Sequence, residues 1–113
     1  MSNAEKMTLF KMRMTADAKN IKDLIGQTVQ PVKWNFSNYT DSDETIHTVL
    51  ALDLRFKDGH TEMYRTEVRA FIDKFNVYAE VFGDEPEAEL PWIVITGKSS
   101  QRGNKYVNFD IVE

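Results

Sequence analysis

From Ile46 to Phe56 the chain alternates, with Leu50, Leu52, Leu54 and Phe56 on one side and Ala51, Asp53 and Arg55 on the other. A period of two over this length is the mark of a half-buried β-strand. Lys57-Asp58-Gly59-His60 follows, and an Asp-Gly pair tolerates the positive backbone angles of a tight hairpin turn. Thr61 to Thr66 then returns as the partner strand. This hairpin commits the middle of the chain to antiparallel sheet.

The flanking segments extend the pattern. Phe10, Met12 and Met14 alternate with Lys11 and Arg13, predicting an N-terminal strand over 9–15. Ile21, Leu24 and Ile25 stand at i, i+3 and i+4 before Gly26, which predicts a short helix with glycine just past its end. Val32, Trp34 and Phe36 alternate with Lys33 and Asn35, a strand whose start Pro31 confines to an edge or a bulge. Asn38 to Glu44 is polar and turn-like. Val68, Phe71, Ile72 and Phe75 form one helical stripe with Thr66 as candidate N-cap. Trp92 to Lys98 and Tyr106 to Val112 are two more strands joined by a turn at Ser99 to Asn104. The expected fold is mainly β with one principal helix. Its order suits a five-stranded Greek-key barrel of the OB type, with an extra N-terminal strand and a short helix.

The 113 residues make one domain, 7–113, with residues 1–6 set apart because Ser2-Asn3-Ala4 reads as the remnant of an expression tag. The sequence holds no cysteine and two histidines, which removes disulfides, thiolate metal sites and cysteine nucleophiles. No cofactor and no metal is expected. Without a long apolar run or a secretory signal, the chain is expected in the cytoplasm rather than in a membrane.

Catalytic patterns fail one by one. Gly97-Lys98-Ser99 resembles the end of a phosphate-binding loop, but Trp92 stands where that loop needs its first glycine, and a hairpin follows instead of a helix. Asp41, Asp43 and Glu44 lack the ligands and glycine of a calcium loop. His47 and His60 lie on different strands with no patterned carboxylate partner. No serine sits in a nucleophile elbow. The expectation is a protein that is not an enzyme and takes no small-molecule substrate.

Charge is unevenly distributed. The net charge is −4, yet residues 61–91 carry three basic and eight acidic groups, while residues 92–113 carry three basic and two acidic ones. Lys98, Arg102 and Lys105 surround the glycine-bearing turn before Tyr106, so cations for phosphates stand beside a flat ring for a base. In an OB barrel this loop is one of two that bind ligand. Arg55 and Lys57 face away from the leucine side, and Arg65 lies on the paired strand. Trp34 and Tyr39 flank the other ligand loop. Trp34 shares its face with Val32 and Phe36, which favours the core; Tyr39, among polar residues, is read as exposed. The nucleic-acid candidates are therefore Trp34, Tyr39, Arg55, Lys57, Arg65, Lys98, Arg102, Lys105 and Tyr106.

Asp23-Leu24-Ile25-Gly26, Phe56-Lys57-Asp58-Gly59, Tyr64-Arg65-Thr66 before the helix, and Gly97-Lys98-Ser99 through Tyr106 give the chain a resemblance. Over about residues 8–112 it resembles the small single-stranded-DNA-binding OB proteins encoded by phages and prophages of Gram-positive bacteria. The resemblance implies sequence-tolerant binding of single strands, DNA or RNA, during phage-type replication or recombination, without catalysis. The rival expectation is an acidic interaction or inhibitor domain that mimics DNA, working through Asp84–Glu89 and Asp41–Glu44. An edge strand at 9–15 would offer a route to a homo-oligomer.

Overall fold

The computed structural model describes residues 19–99 and 105–113, together with Asn3, Ala4 and Lys6. Six strands are present among them: β1 (Lys19–Asn20), β2 (Thr28–Thr40), β3 (Ile46–Arg55), β4 (Thr61–Thr66), β5 (Ile93–Ser99) and β6 (Lys105–Ile111). One α-helix, α1 (Arg69–Phe82), lies between β4 and β5, and 3₁₀ turns occupy Ile21–Leu24 and Glu87–Glu89. The strands form one sheet in the order β1-β4-β3-β2-β5-β6, curled into a half-barrel. All pairs are antiparallel except β1 with β4, which is parallel.

The curl originates in β2. Its first two residues pair with β5, Thr28 opposite Val94 and Val29 opposite Ile93, and the remainder pairs with β3. Between Pro31 and Lys33 the register with β3 shifts. Proline lacks the N–H a regular ladder needs, so the irregularity falls where the sequence placed it. Gly59 in the β3–β4 turn has φ +93° and Gly26 after the first 3₁₀ turn has φ +91°, both in the region that favours glycine.

Leu50, Leu52 and Leu54 project from β3 into the half-barrel and are fully buried. Val29, Ile93, Ile95, Val107 and Phe109 close the other side. Helix α1 fills the space between with Phe71, Ile72, Phe75 and Tyr78. Phe71 and Phe75 meet Phe109 at 4.9 and 6.0 Å between ring centroids, and Trp34 meets Phe75 edge-on at 5.3 Å. Each such ring withdraws enough apolar surface to contribute about 1.5–3 kcal/mol. The Tyr78 hydroxyl donates to the Pro91 carbonyl at 2.7 Å, and burial raises its pKa above the ordinary phenol value.

Two local expectations change. Asn38 to Thr40 belongs to β2 rather than to a turn, because backbone pairing with Ile46 to Thr48 carries it. Thr66 does not cap the helix; Val68 takes that position, and the buried Thr66 hydroxyl accepts the Val68 N–H at 3.1 Å. The segment around Asp84–Glu89 is exposed but anchored. Gln30, only 2% exposed, donates its amide N–H groups to the carbonyls of Glu87 (3.1 Å) and Leu90 (2.8 Å), and its Oε1 accepts from Arg55 at 3.2 Å. The strand expected at 9–15, and the oligomer contact it would make, lie outside the described residues.

On β6, the outer strand among the described residues, side chains take up the backbone groups of Phe109. Lys74 on α1 donates to the Phe109 carbonyl at 2.6 Å and to Asp110 at 3.0 Å, while the Phe109 N–H donates to the Asn108 side chain at 2.9 Å.

Replacing Gln30 by Met keeps the volume but removes the side-chain donor of the two loop carbonyls and one of the two acceptors of Arg55. The expected cost is about 1–3 kcal/mol in chemical denaturation. A loss below about 0.5 kcal/mol, the ordinary scatter of an inert surface change, would show that the clamp contributes little.

Candidate nucleic-acid interface

The register sorts the predicted residues by face. On the face of the sheet away from the leucines, cross-strand rows run Ser37, Val49; then Asn35, Ala51, Arg65; then Lys33, Asp53, Met63, with Val49 and Ala51 buried. Tyr39 opposite His47 extends these rows at the turn end of the β2–β3 hairpin. Tyr106 sits on the outer side of β6, since its neighbours Val107 and Phe109 are the buried ones.

Arg65 and Tyr106 come together although 41 positions separate them in sequence. Both line a groove of about 700 Å³ at the seam between β4 and β6, with Lys22, Asn20, Ile25 and Val107 among its other walls. The first 3₁₀ turn builds its floor. Asn20 caps that turn by accepting the Lys22 N–H at 3.0 Å, and Ile21 and Leu24 bury themselves beneath it. Ile25 stays half exposed and lies across Gly97; a Cβ there would stand 3.3 Å from the Ile25 Cδ1 atom. Gly97 thus lets the turn approach β5, a packing role unrelated to phosphate loops.

Tyr39 joins the groove through Glu67. The Tyr39 hydroxyl donates to Glu67 Oε1 at 2.7 Å, and Arg65 Nη2 donates to Glu67 Oε2 at 2.9 Å. The carboxylate beside it holds the Tyr39 phenol pKa above its ordinary value. The Tyr39 ring stacks on His47 at 4.9 Å and 18°. His47 Nε2 in turn lies 2.6 Å from Asp41 Oδ2, and Asp41 Oδ1 accepts the N–H groups of Asp43 and Thr45. The His47 contact, followed by those N–H groups, holds the Asp41 pKa below the ordinary carboxylate value.

The remaining candidates are dispersed. Trp34 packs inward against Phe75 and Tyr78, on the face opposite Tyr39. Arg55 is on the outer face but donates to Glu87 at 2.7 Å as well as to Gln30. Lys57 is exposed at the β3–β4 turn, beside a cavity of about 450 Å³ shared with Thr28 and Trp92. Backbone register sets Lys98 opposite Tyr106 and Ser99 opposite Lys105. The side chains of Lys98 and Lys105 are not described, and Arg102 lies outside the described residues.

Sequence reasoning missed Lys22, His47 and Glu67. Lys22 stands on the polar side of the short turn that Ile21, Leu24 and Ile25 foretold, with nothing in the spacing to single it out, and the other two depend on cross-strand register. Among the described residues no group of three His, Asp or Glu side chains is arranged to hold a metal ion. No helix among them is long and apolar enough to cross a membrane. No protein-family model matches the chain, and no curated protein or solved structure is significantly similar to it.

The Asp41 contacts carry a pH dependence. A carboxylate whose pKa is depressed on folding stabilises above its unfolded pKa, and that stability is lost as pH falls through the folded value. Acidification through the carboxylate range should therefore loosen the 41–45 turn, read as lower amide protection factors at Asp43 and Thr45 once the intrinsic pH dependence of exchange is divided out. Asp41→Asn should flatten this response; an unchanged profile would place the titrating group elsewhere.

Proposed function

We propose that this chain is a non-catalytic, sequence-tolerant single-stranded-DNA-binding protein of phage-type replication or recombination, acting in the bacterial cytoplasm. The observation that carries the reading is the groove in which Arg65 and Lys22 stand with the half-exposed Tyr106. Cations there would neutralise phosphates, and the ring would stack a base whatever its identity. The groove opens beside the β5–β6 ribbon, whose sequence brings Lys98, Arg102 and Lys105.

The topology supports an OB-type Greek-key barrel as the scaffold. One long strand pairs with both its hairpin partner and the first strand after the helix, and the helix fills the barrel between the third and fourth of its five strands. In that arrangement oligonucleotides lie on the outer face of the second and third strands and against two flanking loops. Here those strands are β3 and β4, and the first of those loops is 41–45. The acidic-mimic reading draws less support, because Glu87 is engaged with Arg55 and Asp41 with His47.

Fluorescence anisotropy with labelled oligo-dT tests the reading. Binding should be measurable at about 50 mM salt and fall steeply by about 200 mM, as released counterions dictate. Tyr106→Ala should cost about 1–3 kcal/mol, and Arg65→Ala should reduce the salt slope by about one. Folded protein that binds nothing at low salt would overturn the proposal.

A further inference from the structure

Two donors from two strands hold one anion at the edge of the groove, with an imidazole from a third strand standing near it. Tyr39 on β2 holds Glu67 Oε1 at 2.7 Å, Arg65 on β4 holds Oε2 at 2.9 Å, and His47 Nδ1 on β3 stands 4.0 Å from Oε1. Arginine and phenol are donor types that recognise an oxyanion, and arginine matches phosphate as readily as carboxylate. We infer that this is a phosphate site whose resident anion is Glu67, and that a phosphodiester binds there by displacing it. The inference rests on the single-strand reading and assigns one residue of that interface an opposing role.

The site is built so that the exchange is local. Glu67 lies between β4 and α1, in neither element, so its side chain can swing away without breaking a ladder bond. The donors are fixed more firmly. Tyr39 is stacked on His47, His47 is anchored by Asp41, and Arg65 stands in a cross-strand row with Ala51 and Asn35. The Arg65 and Glu67 side chains are 32% and 34% exposed, so water already competes for the pair. An ion pair this accessible holds by only about 1.5- to 5-fold. That is weak enough for a multivalent backbone to displace, and strong enough to keep the arginine from stray anions.

The opposite role is a prop, in which Glu67 merely holds Arg65 and Tyr39 in place. The two roles predict opposite signs. Glu67→Gln keeps an oxygen for the donors and removes the competing charge, so oligo-dT affinity at low salt should rise about two- to fivefold. In the Arg65→Ala background the same change should give no such gain. Unchanged or weakened binding by Glu67→Gln, with the wild type binding normally, would overturn the displacement.

If neither wild type nor variants bind oligo-dT, the single-strand reading falls, and inorganic phosphate decides the anion site by itself. Saturable shifts of the Tyr39 and His47 ring resonances, reached at lower phosphate in Glu67→Gln than in wild type, would sustain it. No saturable shift in either protein, both folded by thermal melting, would overturn it.

Discussion

Everything in this fold depends on β2 serving two partners. A regular thirteen-residue strand would hold one straight ladder, and the half-barrel would open into a twisted sheet with nothing to enclose. The irregularity at Pro31 divides the strand into a short piece that meets β5 and a long piece that meets β3. The same bend brings buried Gln30 under the 87–90 segment, so one local defect both curls the sheet and anchors the loop leading into β5. With the curl in place, the aromatic stripe of α1 has a concave surface to fill, and the seam between β4 and β6 becomes the groove.

The groove owes its character to what is left out of the core. Period-two alternation sends Leu50, Leu52 and Leu54 inward, which puts the intervening positions on the other face with Arg65 and Tyr39, where Val49 and Ala51 are nevertheless buried. Core packing and the candidate interface are thus two sides of the same strands. This is also why Trp34 and Tyr39, five residues apart, have unlike environments. An odd separation in an extended strand puts two side chains on opposite faces, and Trp34 becomes part of the aromatic core with Phe75 and Tyr78.

Much of this was legible in the residues themselves. The Leu alternation, the Asp58-Gly59 turn, the irregularity at Pro31 and the helical stripe each follow from local chemistry, and each lies where that chemistry put it. Asn38 to Thr40 was not legible, because polar side chains there disguise a segment held by backbone pairing alone. Thr66 misled for a related reason: its hydroxyl does bond an N–H near the helix start, but from two residues too early to be the cap. The convergence of Tyr39, His47, Arg65 and Glu67 needs the register of three strands, and a one-residue slip would scatter it. No local pattern records that register.

Lys74 has a consequence beyond its own hydrogen bonds. A half-barrel has two outer strands, and an outer strand with unpaired backbone groups invites another chain to continue the sheet. At Phe109 that invitation is withdrawn: the carbonyl is taken by an ammonium group from the helix and the N–H by the neighbouring amide. The ammonium also rests 5.2 Å from the centre of the Phe109 ring, so the same charge guards the edge and lies against the core. The helix therefore acts as a stopper as well as a plug, keeping an incomplete barrel from being completed at that point by a stranger's strand.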